Sequence, residues 1–372
     1  MKFRPSWLRG GALVFTAVGF LPACSRRKPA EVNAIVPSVS FSRSKVPLGS
    51  AVEVTYTWKL ESTAKKITQD QRAFVHFLDS HRVLLFEDDH VPTPPPTSWE
   101  PGTTVSYTRT KFVPIYPYVG DAEIRVGLAP PSGRGDRVAL KGDDAGMNEY
   151  RVGKIELLPQ TENIFLVYKD GWHNPESHPE NPSIERTWTK KEALVSFKNP
   201  KKDVIVYLEA DTCSKCFPKT PVLTMVVGGK AGFSMPIETG EVFLKKLRVK
   251  AEDLGTEDWV DLRLMMNDSF VPKNLGMNSD DRELGLLVYH LYVGEEDKLG
   301  DLPKQEIADA TPMAVTPPAK TAAKTPAGKG AAPGKGQPSP KSPAAKSPAT
   351  KSPATKSPAP TKSPTPAPPK KT

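Results

Sequence analysis

Two cysteines separated by two residues, Cys213 and Cys216, are the first candidates for chemistry in this 372-residue chain. Such a pair can be a redox dithiol, half of a zinc site or a short-range disulfide. The stretch Asp211-Thr-Cys-Ser-Lys-Cys-Phe-Pro218 follows a strand-like run, Val204 to Leu208. Redox pairs sit instead at a helix N-terminus, which lowers the thiol pKa. No second cysteine pair and no histidine close in sequence completes a zinc site. His76, Asp88, Asp89 and His90 form a second group of metal-ligand types. A two-residue turn at Ser80-His81 pairs Asp79 with Arg82 and sets His76 opposite Leu85. His90 then falls on the other face, because side chains alternate along a strand. One ion could not use both histidines, so no metal site is expected. His76 reads as a hydrogen-bonded core residue, and His90 with its two aspartates as the organiser of the Pro-rich loop that follows.

Sugar chemistry is the other possibility. Glu176, Glu180, Glu185, Asp280, Asp281 and Glu283 could supply the paired carboxylates of a glycosidase. They lie among cationic or turn residues, however, and Arg282 among three acids suits a loop tied by charge-assisted hydrogen bonds. No Gly-x-Ser-x-Gly elbow, P-loop or dinucleotide fingerprint occurs. No catalytic residue and no cofactor is assigned, and a non-enzymatic protein is expected. Trp172, Trp188, Asp280 and Arg282 instead form a candidate glycan-binding set. Aromatic rings stack on the C–H faces of sugars, Asp and Arg pair with hydroxyls, and all four residues flank strands where loops can present them. The competing role of the two tryptophans is core packing.

The elements that would hold these residues are short and alternating. Val52-Glu-Val-Thr-Tyr-Thr-Trp58 alternates apolar and polar residues, and Phe74 to Leu78, Val83 to Phe86, Thr104 to Val113, Ala122 to Leu128 and Tyr150 to Leu158 follow, with turn residues between them. A second set comprises Ile164 to Tyr168, Ala193 to Phe197, Val204 to Leu208, Val222 to Val227, Val242 to Val249, Trp259 to Met265 and Leu284 to Val293. Neither βαβ alternation nor a long amphipathic helix period interrupts them. The reading is all-β: two tandem antiparallel β-sandwiches, residues 36–159 and 160–297, joined by a short link at Pro159 to Asn163 that lets them pack together.

Charge divides the chain further. The net charge is +9, yet the last 62 residues (311–372) hold 11 Lys, 16 Pro and no acidic or aromatic residue. With +11 there and +6 in residues 1–29, residues 30–310 are left at −8. A nucleic-acid-binding core is therefore not expected. Residues 298–372 read as a disordered Lys/Pro/Ala/Ser-rich tail, too apolar-poor to offset its chain entropy. Lys-Ser-Pro recurs in it at 341, 346, 351, 356 and 362. Anionic wall polymers or lipid headgroups are the partners its charge would suit.

At the other end, Lys2, Arg4 and Arg9 precede an uncharged, mostly apolar run, residues 10–23. That is the pattern of an export signal, and it is shorter than the roughly 20 residues of a membrane span. The run closes with Leu21-Pro22-Ala23-Cys24, which resembles the lipobox of bacterial lipoproteins. The resemblance implies a signal peptide over 1–23, acylation of Cys24, a linker over 24–35 and anchoring in the cell envelope, in the outer membrane where one exists because Ser25 follows the cysteine. Export implies an oxidising compartment, where a Cys213–Cys216 disulfide is the expected state; free thiols and a redox or metal pair are the alternatives.

Both sandwiches carry motifs of known modules. Phe74-Val-His-Phe-Leu-Asp79, Asp88-Asp-His90, Thr97-Ser-Trp-Glu-Pro-Gly102 and Arg125-Val-Gly-Leu128 resemble the β-sandwich module that follows the membrane part of some bacterial glycosyltransferases of the dolichyl-phosphate-mannose type. Gly171-Trp-His-Asn-Pro-Glu176, Arg186-Thr-Trp-Thr189, Phe270-Val-Pro272 and Asp280-Asp-Arg-Glu-Leu-Gly285 are similar to a β-sandwich domain of bacterial surface-polysaccharide proteins. These resemblances imply immunoglobulin-like or carbohydrate-binding-like folds and no catalytic residue, since the chemistry of those proteins lies in another domain. Two functions are consistent with this reading. One is a noncatalytic surface lipoprotein that binds or accompanies a polysaccharide. The other is a structural or assembly lipoprotein that binds an envelope protein while its tail contacts anionic polymers.

Overall fold

The computed structural model describes residues 31–133, 135–179, 184–303 and 306–313. Cys24, the export signal and the basic tail beyond residue 313 lie outside them. The described chain is built from strands in two sandwiches, as the alternation of the sequence implies.

The first sandwich has one sheet of three antiparallel strands, in the order Ile35–Phe41, Ala51–Leu60, Thr104–Phe112. The facing sheet runs Lys45–Pro47, Tyr150–Leu158, Gly120–Ala129, Arg72–Leu78, Leu84–Glu87. Ala51–Leu60 shows why these residues form strands. Val52, Val54, Tyr56, Trp58 and Leu60 all point inward and are buried, while Thr55, Thr57 and Lys59 face outward. Trp58 packs on Trp99 with ring centroids 5.3 Å apart, and the Trp99 Nε1–H donates to the Pro94 carbonyl at 2.9 Å. This satisfies the one polar atom of a buried indole.

The second sandwich has two six-stranded sheets. The first is ordered Leu166–Tyr168, Glu192–Lys198, Trp259–Met266, Val222–Val227, Ala231–Pro236, Thr311–Pro312. The second is ordered Glu176–Ser177, Glu185–Trp188, Leu287–Glu295, Val204–Asp211, Phe243–Val249, Ile307–Asp309. Its core is a continuous apolar cluster that includes Phe197, Val206, Leu208, Met225, Leu247, Leu262 and Leu286.

The two sandwiches belong to one compact unit. Ala51 and Phe112 of the first share a buried cluster with Ile205, Tyr207, Tyr292, Leu299 and Ile307. Glu53, on the outward-facing parity of its strand, is buried because it meets Lys246 of the second sandwich at 3.0 Å. Lys246 also pairs with Glu306 at 2.6 Å.

Two expectations are corrected here. The second sandwich does not end at residue 297. The chain turns back along the first sandwich, where Asp301 N–H donates to the Ser42 carbonyl at 3.0 Å, and then adds the strands Ile307–Asp309 and Thr311–Pro312 to the two sheets. Gly300, at φ +75°, is required at that crossing because a Cβ would collide with the Ser42 carbonyl. The hairpin register also differs. His76 pairs with Glu87 rather than Leu85: the turn closes with Asp79 N–H on the Val83 carbonyl, which moves the ladder by one residue, and an irregularity between Phe77 and Leu78 moves it by one more.

Candidate functional site

His90 still falls on the opposite face from His76, since it bridges Ala73, three residues away on the same strand. It is a buried residue rather than a loop organiser. Its Nδ1–H donates to the Asp88 carbonyl at 2.6 Å, its Nε2 accepts from the Tyr107 hydroxyl at 2.8 Å, and its ring lies 4.7 Å from Tyr56. Burial, reinforced by Arg109, lowers its pKa below the ordinary histidine value. His76 approaches the Glu149 carboxylate at 3.4 Å. Among the described residues no group of three or more His, Cys, Asp or Glu side chains could hold a metal ion.

Cys213 and Cys216 are bonded to each other across the short 3-10 turn Ser214–Cys216. The bond therefore closes a local loop after the strand Val204–Asp211, as the sequence implied.

The main concavity lies where the two sandwiches and their link meet. It is a cleft of about 960 Å³, lined by Gly49 and Ile115 of the first sandwich, by Gln160, Thr161 and residues 163–166 of the link and the strand after it, and by Tyr168, Trp172, Thr187 and Tyr289 of the second. Its mouth is apolar and open: Phe165 is 74% exposed, Ile115 65% and Tyr168 51%.

Trp172 reaches this cleft from a turn that only glycine can make. Gly171 has φ +87° and lies against the Glu192 carbonyl, where a Cβ would collide. The Trp172 Nε1–H donates to the Leu194 carbonyl at 3.0 Å, and its ring meets Tyr168 edge to face at 4.8 Å. The indole is thereby held in one orientation, half-buried against the core.

Trp188 goes the other way. Trp172 bridges Thr189, and the His173 N–H donates to the Trp188 carbonyl at 2.9 Å, so Trp172 and Trp188 stand at successive positions of one ladder and face opposite sides. Trp188 packs edge-on against Phe270 at 5.8 Å and borders a separate depression of about 400 Å³ beside Cys213, Lys215 and Leu287.

Asp280 and Arg282 are also away from the cleft wall. The Arg282 Nε and Nη2 donate to both carboxylate oxygens of Asp280, and Nη1 pairs with Glu176 at 2.6 Å. Hydrogen bonding to Arg282 holds the Asp280 carboxyl down at about 2 and, in return, raises the guanidinium pKa. Glu283 accepts from the Ser269 hydroxyl at 3.0 Å. These charges fix the loop 280–285, which is tied to the Trp172 turn by His173 Nε2 donating to the Glu283 carbonyl at 2.7 Å.

Of the four residues expected to contact glycan, only Trp172 therefore lines the cleft. Tyr168, Phe165, Gln160 and Tyr289 also line it, from positions that the sequence marks only as strand or link.

No family model and no curated protein matches the chain. Similar solved structures include the N-terminal CBM22-1–CBM22-2 tandem of Xyn10C from Paenibacillus barcinonensis, at 11% identity and TM-score 0.21, covering 68% of this chain and 80% of that one. The M60 catalytic domain with CBM51-1 and CBM51-2 of ZmpB from Clostridium perfringens is similar at 9% identity and TM-score 0.21, covering 66% of this chain and 34% of that one. The Cry4Aa toxin of Bacillus thuringiensis is similar at 8% identity and TM-score 0.24, covering 73% and 52%. Likenesses this low define neither a family nor a ligand; the all-β two-sandwich class rests on the sheets themselves.

Proposed function

We propose that this chain is a noncatalytic envelope lipoprotein that holds a glycan in the cleft between its sandwiches. The observation that carries the reading is the pairing of two aromatic rings, Tyr168 and Trp172, in an open concavity of about 960 Å³ that also presents amide and hydroxyl groups. Sugar C–H faces stack on such rings, and hydroxyls pair with the polar groups around them. Cys24 supplies the lipid anchor and export the oxidising compartment in which the disulfide persists. The lysine-rich tail reaches anionic polymers of the wall or membrane surface.

Calorimetric titration of the full-length protein with envelope oligosaccharides tests this reading. Binding that weakens about fivefold in Tyr168→Ala supports it, as loss of one ring contact is worth about 1 kcal/mol. Absence of binding at millimolar concentration contradicts it. A second reading, an assembly lipoprotein docking a protein partner, is favoured by the exposure of Phe165 and Ile115 at the cleft mouth. It is distinguished by a protein ligand whose binding is lost with Phe165→Ser while oligosaccharides leave the chain untouched.

A further inference from the structure

The polar groups of the cleft limit the charge of what it can hold. Gln160, Thr161 and Thr187 line it and have no side-chain hydrogen-bond partner among the described residues, so an amide and two hydroxyls are available to a ligand. Among the described residues that line it, Glu185, exposed at the rim, is the one carboxylate, His173 is turned to the Glu283 carbonyl, and there is no lysine or arginine. Of the nearby cations, Arg186 interacts with Asp211 and Tyr289, and two others are engaged as well. Arg282 is held by Asp280 and Glu176, and Arg43 donates to Ser50, the Ala51 carbonyl and the Lys298 carbonyl.

A uronic-acid, sulfated or phosphorylated chain laid in this cleft would lose hydration of its charges, gain no cation and face Glu185. A neutral chain pays no such cost: its C–H faces meet Tyr168 and Trp172, and its hydroxyls meet uncharged donors and acceptors.

We propose, resting on the glycan-binding reading above, that the cleft selects neutral polysaccharide and excludes anionic polymers, which are left to the basic tail. The cleft and the tail then engage different components of the envelope, one by stacking and the other by charge.

The test uses the full-length protein and a panel of neutral hexasaccharides beside uronic-acid hexasaccharides, in about 0.5 M sodium chloride, where charges are screened beyond roughly 4 Å and tail binding is suppressed. The expected result is binding of at least one neutral hexasaccharide, weakened about fivefold by Tyr168→Ala, with every uronic hexasaccharide roughly tenfold weaker or more. Glu185→Lys, an exposed substitution, should narrow that gap by strengthening the uronic series. Uronic chains that bind as tightly as neutral ones, with the same loss in Tyr168→Ala, would overturn the selectivity and leave the glycan-binding reading intact. If no member of either series binds, both readings fall.

Discussion

Trp172 is held by one hydrogen bond and one ring contact, so its two contributions can be separated. Trp172→Phe keeps an aromatic face and removes the donor to the Leu194 carbonyl. It should cost about 1 kcal/mol of stability in a denaturant titration, the usual net value of one hydrogen bond, while part of the ligand affinity survives. His90 gives a pH signature at the same scale. Its imidazole is buried neutral in the folded chain, where burial lowers its pKa, whereas the unfolded imidazole binds a proton below about 6.5. The unfolded state therefore takes up more protons as the pH falls. The stability that His90 contributes is present above about pH 6.5 and is lost below it, until the folded imidazole itself titrates. His90→Gln should flatten the fall in unfolding free energy between about pH 6.5 and 5 relative to the parent chain. An unchanged slope would show that His90 is not held neutral.

At the scale of elements, much of the molecule was legible in the sequence, and the losses have a common cause. Alternation in Val52-Glu-Val-Thr-Tyr-Thr-Trp58 marked the strand and its inward face, and Val222–Val227 and Tyr150–Leu158 fall where the pattern put them. What a single strand does not encode is its register against another. Trp172 and Trp188 sit in neighbouring motifs with similar surroundings, yet a ladder that pairs 172 with 189 sends them to opposite faces. The same limit misplaced the partner of His76 by two residues, one from the longer turn after Asp79 and one from the irregularity between Phe77 and Leu78. Arg282 had the right chemistry for a ligand contact; its acidic neighbours pointed to a tied loop, which the Asp280 pair makes, but nothing in its sequence context showed that Glu176, from a distant strand, also reaches it. Arg282→Lys is accordingly expected to leave oligosaccharide affinity unchanged while the 280–285 loop loses a forked, two-point ion pair. Faster amide exchange in that loop would register the loss; a fall in affinity without such loosening would return Arg282 to the binding surface.

Across the whole molecule, the Glu53–Lys246 pair is a buried tie between the two sandwiches. Both side chains are almost fully buried, at 2% and 3% exposure, and they join the two sandwiches whose walls form the cleft. Lys246→Met leaves Glu53 buried beside the Thr110 and Tyr207 hydroxyls without its paired cation and should destabilise the folded unit by about 3–5 kcal/mol. Adding Glu53→Gln should recover much of that loss, because the uncompensated charge is gone. The contact was invisible in the sequence because Glu53 occupies an outward position that becomes interior only when the second sandwich covers it. At the two ends of the chain, Cys24→Ser should release the protein from membranes, and attachment of the anchor-free chain to anionic surfaces should weaken with salt. The most direct test of the account is a titration of full-length protein carrying nitrogen-15 in its tryptophans. Oligosaccharide should shift the indole N–H resonance of Trp172, assigned through Trp172→Phe, and leave those of Trp58, Trp99 and Trp188 in place. A silent Trp172 beside a moving Trp188, or no movement in any indole at millimolar ligand, would contradict it.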